Sequence, residues 1–241
     1  MSAGFAIRLK KKETLAEGTM GFYFARPAGF QFKAGQYADL TLMDPPETDA
    51  EGNIRSLSIA SAPEEEHLLF ATRMRDTAFK RFLRNAPIET EVKMEGPMGS
   101  FTLHNNSAKP AVFLAGGIGI TPFSSIVHHA AKARLPHHLY LFYSNRRPED
   151  AAFMDILSGL EKENPNFKFI PSMSEMNKST QKWTGETGFI NREMLSRYLS
   201  ALQGPIYYIA GPPAMVTAMR QMLSAAGVDE DDIRTEEFAG Y

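Results

Sequence analysis

Pro110-Ala111-Val112-Phe113-Leu114-Ala115 is an apolar run with no polar alternation, and Gly116-Gly117-Ile118-Gly119-Ile120-Thr121-Pro122 ends it abruptly. A strand with no polar face is one covered on both sides, as when helices pack above and below a parallel sheet. A helical segment, 122–134, follows the glycines, and the pair then recurs. Residues 138–143, 167–172 and 206–210 read as strands, and 151–163, 192–199 and 214–225 as the helices associated with them. Right-handed crossovers between such strands predict an α/β domain with a doubly wound parallel sheet.

The chain before residue 106 follows a different rule. Residues 5–11, 19–24, 36–43, 55–61, 67–74 and 90–95 read as short strands. Within the third, Ala38, Leu40 and Leu42 recur with period two, the pattern of a half-buried antiparallel strand. Strands this closely spaced predict a small antiparallel β-barrel. A helix at 77–84 interrupts them, with Phe79, Phe82 and Leu83 on one face. The loop 44–53 carries Pro45-Pro46, Gly52 and four acidic residues, and reads as a solvated hairpin tip. The expected organisation is two domains, a barrel over 1–106 and the α/β domain over 107–241.

Composition narrows the chemistry. With 26 basic and 28 acidic residues and a net charge of -2, the chain has no global field to recruit nucleic acid or an anionic membrane. It contains no cysteine, which excludes disulfides, thiolate metal sites and a cysteine-ligated iron-sulfur cluster within it. Residues 1–12 lack the apolar core of a signal peptide, and no later run reaches membrane-spanning length, so a cytoplasmic protein without membrane insertion is expected. No metal is expected either: His128-His129 and His137-His138 are adjacent pairs whose side chains diverge.

The glycine-rich loop sits between a buried strand and its helix, at the carboxyl edge of the predicted sheet. Gly116, Gly117 and Gly119 would let backbone amides, including that of Ile118, approach a pyrophosphate, and the helix N-terminus adds partial positive charge. Thr121 is the expected N-cap and Pro122 the first helical residue. Gly211 and Pro212, with Met215 just beyond, form a second loop at the same edge. Ser144-Asn145-Arg146-Arg147 follows the second strand, where an adenosine ribose is read. No carboxylate lies there to accept a ribose hydroxyl, whereas Ser144 and Arg146 suit a 2′-phosphate, which favours NADPH over NADH.

Taken with Arg55-Ser56-Leu57-Ser58, Gly96-Pro97-Met98-Gly99-Ser100-Phe101, Ile209-Ala210-Gly211-Pro212-Pro213 and Glu236-Glu237-Phe238-Ala239-Gly240-Tyr241, the chain resembles the ferredoxin-NADP reductase superfamily over nearly its whole length. The resemblance implies a flavin-binding barrel followed by a nicotinamide-binding domain. It assigns Arg55, with Ser56 and Leu57 beside it, to flavin binding, and Ser58 to the neighbourhood of flavin N5. Leu57 stands where the family usually has tyrosine. The second flavin element maps onto Thr72-Arg73-Met74 and onto the helix start with Phe79 and Lys80, favouring FAD over FMN. The family's aromatic cover over the flavin maps onto Tyr241, with Phe238 as the alternative, and Glu236 or Glu237 is placed to assist near the nicotinamide.

The function implied is hydride transfer from NAD(P)H to bound FAD, then electron transfer to a separate acceptor such as ferredoxin, flavodoxin or an oxygenase component. A cationic cluster, Arg73, Arg75, Lys80, Arg81 and Arg84, suits an acidic carrier. The alternative is a non-catalytic flavin- or nucleotide-binding subunit of a larger redox complex.

Overall fold

In the computed structural model, which describes residues 4–238, the two patterns become two six-stranded sheets. In the first, β1 (Gly4–Ala16), β2 (Thr19–Ala25), β3 (Tyr37–Leu42), β4 (Ile54–Ser58), β5 (His67–Arg73) and β6 (Glu91–Met98) pair antiparallel in the order β4-β3-β6-β1-β2-β5. Its end strands curl towards each other. Ile59 bridges Phe70, and Ala60 donates its N–H to the Leu69 carbonyl at 2.8 Å, giving a barrel-like sheet that does not close. Ala38, Leu40 and Leu42 point inwards from β3 to pack with Ile7, Phe22, Phe70 and Met94. Helix α1 (Ala78–Asn85) completes this core through Phe79 and Leu83.

The second sheet is parallel throughout. β7 (Ala111–Gly116), β8 (Leu139–Asn145), β9 (Phe167–Met173), β10 (Glu186–Thr187), β11 (Ile206–Gly211) and β12 (Ile233–Glu237) take the order β10-β9-β8-β7-β11-β12. Helices α2 (Ile120–Lys132), α3 (Met154–Glu163), α4 (Arg192–Tyr198) and α5 (Pro213–Ala225) cover it. From β7, Ala111, Phe113 and Ala115 pack with Phe123, Ile126 and Leu157 of α2 and α3, while Val112 and Leu114 pack with Leu195, Val216 and Leu223 of α4 and α5. Both faces of β7 are therefore dry, which is why its sequence has no polar position. With β8 on one side of β7 and β11 on the other, the winding reverses at β7 and a crevice opens beyond the carboxyl ends of these strands.

Several local features depart from the sequence reading, the two-residue strand β10 and the position of Pro122 as the third residue of α2 among them. A single 3-10 turn, Gly117–Gly119, runs directly from β7 into α2, so Thr121 is not the N-cap but the second residue of the helix, its hydroxyl donating to the Ile118 carbonyl at 3.0 Å. The last strand, β12, was not anticipated. Ile233 is its single strongly apolar residue, and pairing to β11 along the sheet edge, not hydropathy, defines it.

Candidate functional site

β4 carries Arg55, Ser56, Leu57 and Ser58 to the edge of the first sheet, and β5 brings Thr72 and Arg73 nearby. These six residues, with Phe79 and Lys80 of α1, line a cavity of about 150 Å³. The second domain closes it with Ile118, Thr121 and Phe238. Ser58 is buried at 5% exposure on the cavity wall. Phe238 is fixed by its backbone N–H, which donates to the Gly211 carbonyl at 3.0 Å. Tyr241 lies outside the described residues.

A larger cavity of about 720 Å³ lies against the carboxyl edge of the second sheet. Gly116, Gly117, Ser144, Asn145, Arg146, Pro212 and Met215 line it, and Arg73, Met74 and Arg75 reach it from the first domain. Ser174, after β9, and Phe189 also line it and were missed in the sequence. In the sequence the Gly188-Phe189-Ile190 segment carries no polar or charged signal, and only the structure shows Phe189 left 77% exposed at the cavity.

Gly119 and Gly211 act through their backbones. A Cβ on Gly119 would stand 2.3 Å from the Ala210 carbonyl oxygen and 2.7 Å from the Gly211 nitrogen. The 3-10 turn therefore rests directly on the end of β11, a contact that only glycine permits.

The two cavities share Arg73 and Arg75. Arg73 also ties the domains together: it donates to the Glu17 carbonyl at 3.2 Å and lies 3.8 Å from Asp150. Asp150, with a side chain 2% exposed, accepts from Arg147 twice at 3.0 Å and from Arg146 at 3.3 Å. Burial pushes its carboxyl up, but the Arg147 hydrogen bonds and the charges of Arg146, Arg147 and Arg73 hold it below the ordinary value. Arg146, assigned to a 2′-phosphate, thus has a carboxylate partner of its own, although its side chain remains 57% exposed.

The cationic cluster is smaller than its sequence suggests. Arg81 is held by Glu47 at 2.8 Å and by Asp76 at 2.5 Å, and Arg73 faces Asp150. Arg75, Lys80 and Arg84 remain without an ion pair among the described residues. Among those residues, no group of three or more His, Cys, Asp or Glu side chains could hold a metal ion.

At the end of β12, strand alternation separates the two glutamates. Glu237 is exposed; Glu236 turns inward, and its buried Oε2 has no hydrogen-bond partner among the described residues. The carboxylate aimed at the interior is therefore Glu236, opposite Ala210 on β11, and not Glu237. Burial pushes the Glu236 carboxyl up from 4.5 to about 7. A raised acid pKa means that stability is fully present below the unfolded value and is lost as pH rises through the folded one. Glu236→Gln should leave stability unchanged near pH 4 and raise it by about 3 kcal/mol near pH 9, read from paired denaturant melts.

The donors around the smaller cavity fit a flavin: buried hydroxyls at Ser58 and Thr72, and cations at Arg55, Arg73 and Lys80. At about 150 Å³ the cavity is smaller than the ~300 Å³ or more usual for a small-molecule site.

Residues 113–221 match the family model described as an oxidoreductase NAD-binding domain. One component of the Na(+)-translocating NADH-quinone reductase of Methylococcus capsulatus is 30% identical over 203 residues, covering 78% of this chain and 49% of that protein. The reductase component of propane 2-monooxygenase from Mycolicibacterium smegmatis is 29% identical over 215 residues, covering 88% and 60%. A ferredoxin NADP+ reductase from Neisseria gonorrhoeae, solved with bound FAD and NADP, superposes with a TM-score of 0.80 at 21% identity, covering 98% and 99%. The chain spans about half to three-fifths of the length of the two curated relatives. Its second domain is of the oxidoreductase NAD-binding family. Its two-domain fold is that of the ferredoxin-NADP reductase-like structures.

Proposed function

We propose that this chain is an NAD(P)H-dependent flavoprotein reductase that delivers electrons to a separate acceptor protein. The observation that carries this reading is the meeting of two cavities at Arg73 and Arg75, one beside the glycine loop and the other lined by Ser58. A flavin bound in the smaller cavity supplies the conversion of two-electron hydride chemistry into single-electron release. The chain's own task is alignment and electrostatics.

The glycine turn and the N-terminus of α2 hold the nucleotide's pyrophosphate, and Met215 and Pro212 bound the same cavity. Ser144 and Arg146 favour NADPH, with Arg146 exchanging its Asp150 contact for a 2′-phosphate. Ser58, buried on the wall of the smaller cavity, would offer its hydroxyl as a hydrogen-bonding group to a flavin held there. The aromatic cover over a bound flavin would come from Tyr241 or from Phe238, which lines the smaller cavity. Arg75, Lys80 and Arg84 attract an acidic carrier such as a ferredoxin, a flavodoxin or an oxygenase component. The name of one relative, the reductase component of propane 2-monooxygenase, supports an acceptor of this kind.

Stopped-flow reduction of the flavin-loaded protein tests the assignment of Ser58. Ser58→Ala should slow flavin reduction roughly tenfold to a hundredfold while flavin and nucleotide affinities stay within about threefold. A change confined to affinity would remove Ser58 from the transfer step.

A further inference from the structure

The acidic loop 44–53 is largely solvent-exposed, but Asp49 and Glu51 turn back from it onto the groups that a flavin's phosphates would use. Asp49 accepts the backbone N–H of Ala78, the first residue of α1, at 2.6 Å. Its other carboxylate oxygen lies 3.9 Å from the Arg55 guanidinium. Arg55 is engaged further by the same loop: Nη2 donates to Glu51 Oε2 at 2.7 Å, and Nη1 donates to the carbonyls of Glu51, Gly52 and Ile54 at 2.8, 3.2 and 2.7 Å. The guanidinium rests 5.1 Å from the centre of the Phe79 ring, with only 16% of the side chain exposed.

Capping alone does not require this arrangement. Thr77 already caps α1 by accepting from the Lys80 N–H. Asp49 reaches the helix from 29 residues away, and with Glu51 it places two carboxylates on the two groups, the α1 N-terminus and Arg55, that would hold a phosphate at this cavity. Glu47, in the same loop, faces Arg81 instead.

We propose that Asp49 is an internal substitute for the flavin phosphate. Resting on the flavin reading of the smaller cavity, this means that the loop must release Arg55 and the first amide of α1 before a phosphorylated tail can bind. The phosphates of FMN and FAD then add little affinity over riboflavin, because each contact they gain replaces one the chain already makes. Asp49 becomes the residue that sets how tightly the chain retains its cofactor and how sharply it distinguishes one flavin from another.

Quenching of flavin fluorescence by the full chain, titrated with riboflavin, FMN and FAD, tests this without any turnover. In the wild type the three dissociation constants should agree within about fivefold. Asp49→Asn keeps an amide oxygen for the Ala78 N–H but removes the charge, and should tighten FMN and FAD by about tenfold or more while riboflavin stays within about twofold. Glu47→Gln should change none of the three, and thermal melts establish that each variant is folded. Wild-type binding of FMN and FAD about a hundredfold tighter than riboflavin would overturn the proposal, as would an Asp49→Asn variant that tightens all three equally or none. Failure of either protein to quench any flavin would overturn the flavin reading along with it.

Discussion

Replacing Gly119 with alanine should cost about 4 kcal/mol and lower the melting temperature by roughly 8–16 °C. The new Cβ would stand 2.3 Å from the Ala210 carbonyl oxygen, 2.5 Å from its carbonyl carbon and 2.7 Å from the Gly211 nitrogen. All three are backbone atoms at the end of β11, which is buried and paired on both sides, so no rotamer change relieves the clash. The 3-10 turn must lift away, and the amides it presents at the nucleotide crevice lift with it. NAD(P)H binding should weaken by at least about a hundredfold in whatever fraction stays folded. Gly116→Ala is the informative contrast. Its Cβ would meet Met215 Sδ at 2.3 Å, a flexible side chain that can rotate, and Pro212 Cδ at 3.1 Å. That substitution should cost about 1 kcal/mol and act mainly on the shape of the nucleotide cavity. Equal losses from the two variants would refute the argument from backbone contact.

Asp150→Ala should be the next most destabilising change, a loss of about 3 kcal/mol, because it leaves the guanidinium of Arg147, 23% exposed, and that of Arg73, 20% exposed, without their shared carboxylate. The loss should appear as weakened coupling between domains, since Arg73 joins β5 to Asp150 while Arg147 reaches back to Glu17 at 2.9 Å. Asp150 has a depressed pKa, so its contribution is present above the ordinary value of 3.8 and is lost as pH falls through the lower folded value. The stability gap between wild type and Asp150→Asn should therefore be full at neutral pH and close in strong acid. Urea melts across that range measure it. A gap independent of pH would mean that Asp150 acts by packing and not by charge.

The class of the second domain was legible because dryness on both faces leaves a direct trace in sequence, as in β7 between α2 and α4. The glycine loop was legible for a similar reason, since close backbone approach has only one residue that satisfies it. Thr121 was misplaced because the 3-10 turn, which continues straight into α2, leaves no separate cap position. β12 was hidden because an edge strand draws its order from pairing with β11, and Ile233-Arg234-Thr235-Glu236-Glu237 carries little hydropathy signal. Once that strand is known, period-two alternation separates buried Glu236 from exposed Glu237 at once. Asp49 was the least legible of all. Its four-acid loop has the composition of a solvated tip, and its partners, Ala78 and Arg55, are recognisable only after α1 and β4 are folded against each other.

Reducing equivalents from a nucleotide in the α/β domain are proposed to reach a flavin held against the antiparallel sheet. Anaerobic titration of the flavin-loaded protein with NADPH and, separately, with NADH, followed by visible absorbance, tests it most directly. Equimolar nucleotide should bleach the flavin, with NADPH effective at the lower concentration. A flavin that stays oxidised and yellow in the presence of both nucleotides would contradict it.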